Sequence, residues 1–79
     1  MKIKIVVREK DKEPWQGMVD SVSSTNARGN FDILPGHAHY VGLIEKFLIV
    51  RNGNSKKEWK VDRGILSVKD GTLEVYLSY

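Results

Sequence analysis

The sequence contains no cysteine, which excludes a disulfide framework, a thiolate metal site and a cysteine nucleophile. Proline is scarce: Pro14 and Pro35 are the 2 present, and both stand in turn-like stretches. No run approaches the ~20 apolar residues of a membrane-spanning helix. Lys2, Lys4 and Arg8 interrupt the amino terminus too often for a signal-peptide apolar core. Charge of one sign is missing as well. The formal net charge is +3, with 6 basic and 5 acidic residues in 1–40 and 7 and 5 in 41–79. That falls short of the dense cationic surface that dominates nucleic-acid affinity. From these absences we expect a soluble chain of a reducing, cytoplasmic-type compartment, meeting any membrane only through a partner. Its 79 residues suit one domain over 1–79.

What is present has a period of two. Ile3, Ile5 and Val7 alternate along a first strand, and Leu73, Val75 and Leu77 along a last one. A second extended stretch runs from Trp15 through Val22, with Gly17 marking a bulge or a close backbone approach. Thr25–Gly29 reads as a polar loop, and Phe31–Leu34 as a strand stopped by Pro35-Gly36. From Tyr40 to Val50 the chain is apolar and β-branched, with Glu45-Lys46 expected to break it into two strands. Asn52-Gly53 and Asp70-Gly71 are hairpin signals of the type I′ kind. Trp59 and Val61 alternate inward and outward residues, as do Ile65 and Val68 around Leu66. Many short strands with closely spaced turns mean an all-β sandwich or barrel.

Catalytic chemistry finds little footing. His37 and His39 share a strand face, but a metal needs a third ligand, which only a distant carboxylate such as Asp32 offers. Ser21, Ser23 and Ser24 read as a polar strand without a nucleophile elbow, and no glycine-rich loop leads to a Lys-Ser or Lys-Thr pair. No cofactor is expected. The alternative reading from residues alone is a small basic β-barrel binding single-stranded nucleic acid. Trp15, Trp59, Tyr40 and Tyr76 would stack bases beside Lys56, Lys57, Lys60 and Arg63.

One segment is more particular. Gly29-Asn30-Phe31-Asp32-Ile33-Leu34-Pro35-Gly36-His37-Ala38, preceded by Val19-Asp20-Ser21-Val22 and Thr25, resembles the epsilon subunit of F-type ATP synthases. Leu48-Ile49-Val50, the Gly64-Ile65-Leu66 stretch with Val68, and Leu73-Glu74-Val75 match further strands of that family in order. Asp32 stands where the family usually has glycine, and His39 where it commonly has proline.

The resemblance implies the amino-terminal domain of that subunit, a flattened sandwich of two antiparallel sheets. It implies a non-catalytic rotor subunit of the central stalk, docking on the gamma subunit and the c-ring and coupling ion translocation to ATP synthesis. Its expected place is the cytoplasmic face of the cell membrane, peripherally, within the complex. By resemblance Arg28, Gly29, Asn30 and Phe31 face the c-ring, and His37, Tyr40, Val41 and Gly42 face gamma. Ile33 and Leu34 are expected in the core. The family's usual carboxy-terminal helical hairpin is not expected within a sequence ending at Tyr79, so its inhibitory and ATP-binding roles are not carried over.

Overall fold

A computed structural model describes residues 1–36 and 41–77. The chain forms seven strands: β1 (Ile3–Glu9), β2 (Trp15–Val19), β3 (Ser21–Asn26), β4 (Gly29–Ile33), β5 (Val41–Asn52), β6 (Ser55–Lys69) and β7 (Thr72–Leu77). Among the described residues there is no helix. The strands are hydrogen-bonded in the order β2-β1-β7-β6-β5-β3-β4. The all-β expectation holds, with one difference in pairing. The layers form one continuous mixed sheet, because β7 lies parallel to β1, Ile5 opposite Leu73 and Val7 opposite Val75.

Two layers arise from one sheet because β5 and β6 are long enough, 12 and 15 residues, to belong to both. The corner is a bulge. Ile44 pairs with Gly64 and Lys46 with Val61, so Asp62 and Arg63 together face Glu45 alone. The extra residue changes which parity points inward. Buried Val61 and half-buried Trp59 are odd-numbered, whereas buried Gly64 and Leu66 are even-numbered. Lys46 takes a left-handed backbone at φ 70°, and the Ser24 hydroxyl donates to the Phe47 carbonyl at 2.6 Å. The expected break at Glu45-Lys46 is therefore a bend within one strand, since neighbours on both sides keep their hydrogen bonds across it.

The folded sheet encloses Ile3, Ile5, Val7, Val19, Val22, Ile33, Ile44, Leu48, Val50, Val61, Leu66, Leu73, Val75 and Leu77. Apolar area removed from water at this scale is the main favourable term in folding. β2 packs against β5 without pairing to it. Trp15 and Trp59 lean on the core and meet edge to face, with centroids 5.3 Å apart and planes at 66°. Gly17 keeps its register opposite Ile5, so it is a close approach and no bulge: a Cβ there would lie 3.0 Å from the Trp15 ring.

The two hairpins differ in chemistry. Asp70 and Gly71 are the corners of one, with φ of 51° and 75°, the type I′ pattern. In the other, Asn52 pairs with Ser55, so the corners are Gly53 and Asn54. Only Gly53 has positive φ, at 60°, which is the type II′ pattern and replaces the expected I′ turn.

Candidate functional site

β4 closes one edge of the sheet and carries the first set of expected contact residues. The expected polar loop before it is a two-residue turn, Ala27-Arg28, because β3 continues to Asn26, opposite Gly29. The Asn26 side-chain oxygen accepts the Arg28 N–H at 2.8 Å, a short polar bridge that asparagine makes readily. Gly29 at φ 119° turns the chain into the strand. Arg28, Gly29 and Asn30 are exposed, while Phe31 is half-buried against the core. These four line one shallow cleft at the sheet edge. The structure therefore brings them together.

A cross-strand chain of hydrogen bonds stiffens this edge. The Arg51 guanidinium donates to Ser23 Oγ at 2.9 Å, and Ser23 Oγ donates to Asp32 Oδ1 at 2.5 Å. Asp32 is thus a partner for β3. Ser21, Ser23 and Ser24 lie on strand β3, as expected of a polar strand, and Ser23, Ser24 and the adjoining Thr25 are buried. Their hydroxyls are spent on neighbours: Ser23 on Asp32, Ser24 on the corner carbonyl. Pro35-Gly36 forms a turn, with Gly36 at φ 85°. Ile33 is core as expected, but Leu34 is 49% exposed because β4 ends at Ile33 and Leu34 lies past the sheet.

Of the second expected set, His37 and Tyr40 lie outside the described residues, as does His39 of the metal reading. Val41 pairs with Ser67 and Gly42 with Leu66 through the backbone. Sequence reasoning missed the cross-strand pair beside them. Leu43, 63% exposed, stands directly opposite Ile65, 41% exposed. Ile65 is opposite Tyr76 and Tyr76 opposite Arg8, giving one row across β5, β6, β7 and β1. Tyr76 donates to Glu74 Oε2 at 3.1 Å, and the Arg8 guanidinium lies 3.7 Å from Glu74 Oε1. The row is apolar at its Leu43–Ile65 end and polar at its Tyr76–Arg8 end, and exposed apolar pairs of this kind are available for contact with another protein. Its signal was legible: Leu43-Ile44 and Ile65-Leu66 are apolar on both strand faces, yet the interior takes only one.

The aromatic and basic residues of the nucleic-acid reading are not gathered on one face. Trp15 and Trp59 are occupied by each other, and Lys57 Nζ sits 5.8 and 5.3 Å from their centroids. Tyr76 belongs to the outer row, opposite Arg8, and Tyr40 lies outside the described residues.

The model of the family described as ATP synthase, Delta/Epsilon chain, beta-sandwich domain, matches residues 1–78. An ATP synthase epsilon chain of Leptospira borgpetersenii is 33% identical over 75 residues, covering 94% of this chain and 59% of that protein. The ATP synthase epsilon chain of Frankia casuarinae is 30% identical over 70 residues, covering 86% of this chain and 82% of its own length. This chain thus spans about three-fifths of the Leptospira relative. Among solved structures, a chain of the Euglena gracilis mitochondrial ATP synthase (OSCP/F1/c-ring) superposes with a TM-score of 0.85 at 22% identity, over 99% of this chain and 51% of that one. A chain of the Tetrahymena thermophila mitochondrial ATP synthase central stalk and c-ring does so at 0.79 and 16%, over 98% and 63%. At such identities the structures speak for the fold.

Proposed function

The chain belongs to the ATP synthase Delta/Epsilon β-sandwich family, and from that premise we propose that it is a non-catalytic rotor element of an F-type ATP synthase. In this reading it docks on gamma and the c-ring and helps to couple ion translocation to ATP synthesis. It meets the cytoplasmic face of the cell membrane only through the complex. The observation that carries the reading is the family match over 1–78. The surface supports it: an exposed Leu43–Ile65 pair continues the strand that begins with Val41-Gly42.

In this assignment Leu43, Ile65 and the Val41-Gly42 backbone, with His37 and Tyr40, form the gamma-facing surface. Arg28, Gly29, Asn30 and Phe31 form the c-ring-facing one. The first set occupies the tight turn before β4 and the start of that strand, and the second follows the Pro35-Gly36 turn in the chain and extends onto β5 and β6. A torque-bearing contact needs such stiff mounting, since a loose loop would absorb strain.

The test is co-expression with the gamma subunit of the same organism, then affinity purification and gel filtration. A stoichiometric complex is expected. A chain that stays folded, ignores gamma and binds single-stranded DNA in a salt-dependent way would overturn the proposal in favour of the nucleic-acid reading.

A further inference from the structure

The Asn52-Gly53 dipeptide enters the β5–β6 turn and has no part in the docking surfaces. Asparagine before glycine is open to ring closure, because glycine has no side chain to hinder attack on the asparagine amide. The Gly53 nitrogen loses its proton and bonds to Asn52 Cγ. The Cγ–Nδ2 bond breaks, and ammonia leaves a succinimide. Water then opens the ring to aspartate or isoaspartate, with no redox change.

Both reacting groups are held by partners from elsewhere in the chain. The Gly53 N–H donates to Asp20 Oδ2 at 2.7 Å, and Asn52 Oδ1 accepts from the Lys2 ammonium. Lys2 Nζ also lies 3.0 Å from Asp20 Oδ1. Asp20 is itself fixed, its N–H donating to the Arg51 carbonyl at 2.7 Å.

We propose that Asn52 is a deamidation site and that the Lys2–Asp20 clasp keeps it unreactive while the hairpin is closed. Three features point the same way. Removing the Gly53 proton would set a negative nitrogen 2.7 Å from a carboxylate oxygen, which like charge disfavours. Ring closure needs the Asn52 backbone to rotate out of the extended region, but Asn52 is paired with Ser55. The amide must also leave Lys2 before Cγ can swing toward the nitrogen. The Gly53 N–H, and after it Lys2, holds the Asp20 carboxyl below the usual range, so it keeps its charge instead of taking the proton. Opening the clasp releases the first and third restraints, and fraying of the Asn52–Ser55 pair at the hairpin end releases the second. An isoaspartate would then add a methylene to the main chain, where a two-residue turn sets the register of β5 against β6.

The experiment tracks ammonia loss at Asn52 by peptide-mapping mass spectrometry, with isoaspartyl methyltransferase labelling, in warm neutral buffer. Wild type, Asp20→Ala and Lys2→Gln are compared with a synthetic peptide of residues 48–57. We expect wild type to react at least ~10-fold more slowly than the peptide, and Asp20→Ala to recover most of that difference, as for a site reached by local opening. Lys2→Gln should fall between, and circular dichroism of each variant separates opening of the clasp from global unfolding. Should Asp20→Ala not fold, the comparison rests on Lys2→Gln, which must still exceed wild type. Peptide-like reactivity in wild type would overturn the proposal. So would a folded Asp20→Ala no faster than wild type, a slower rate marking Asp20 as a base. Ammonia loss that yields a Lys2–Asn52 cross-link would overturn it too.

Discussion

At the scale of single residues, two glycines carry the fold for different reasons. Gly64 sits in ordinary backbone, but a Cβ there would lie 2.9 Å from the Tyr76 carbonyl oxygen and 3.2 Å from Ile44 and Leu77 side-chain atoms. Backbone cannot yield as a flexible side chain can. Gly64→Ala should therefore cost about 1–3 kcal/mol, read from the denaturation midpoint at unchanged m-value. Gly36 is the opposite case: nothing lies near its missing Cβ, yet φ is 85°. Gly36→Val should cost about 1–3 kcal/mol through backbone strain, with Gly36→Asn distinctly milder, because asparagine tolerates the left-handed region. Equal midpoints for the two Gly36 variants would remove backbone strain as the cause. Pro35-Gly36 announces its turn in the sequence. Gly64 does not, since the atoms it must admit belong largely to β7, a separate strand beyond the next hairpin.

At the scale of elements, the Asp20 clasp joins the β2–β3 connection, the β5–β6 hairpin and the amino-terminal segment. Its hydrogen bond from Gly53, and then Lys2, lower the folded-state pKa of Asp20 below its ordinary value. A carboxyl lowered on folding stabilises the native state above its unfolded pKa, about 3.9, and loses that contribution as pH falls through the folded value. Melting temperatures of wild type and Asp20→Asn should therefore differ near neutrality and converge in acid. A gap that stays constant with pH would show that the carboxylate charge is not the cause. The corner of β5 and β6 is the other element-scale feature. Its trace in the sequence is the change of inward parity between Val61 and Leu66. A search for unbroken alternation passes over it, because an inserted residue looks like the end of one strand and the start of another.

At the scale of the whole molecule, the Leu43–Ile65–Tyr76 row is a surface that the fold exposes and its own core leaves uncovered. Leu43→Glu should leave stability within about 0.5 kcal/mol, as for an exposed position. Under the proposed docking it should weaken binding to gamma at least tenfold, about 1.4 kcal/mol. Lys56→Ala should bind nearly normally, since rim charges mainly set association rate. Melting curves and titration calorimetry on the same preparations check both. If Lys56→Ala proves the more damaging change, the contact lies on another face.

The sequence by itself determined the all-β class and the family, because alternation, turn residues and the Gly29–Ala38 motif are local and covalently ordered. It also set the core stripe of β7 and the turn at Pro35-Gly36. Only tertiary structure decided that β1 and β7 run parallel, that Ser23 and Ser24 are buried, and that Trp15 and Trp59 face each other. Those outcomes depend on which distant strand lies alongside. A side chain's partner on the next strand is set by sheet order and register, and neither is written in its immediate neighbours.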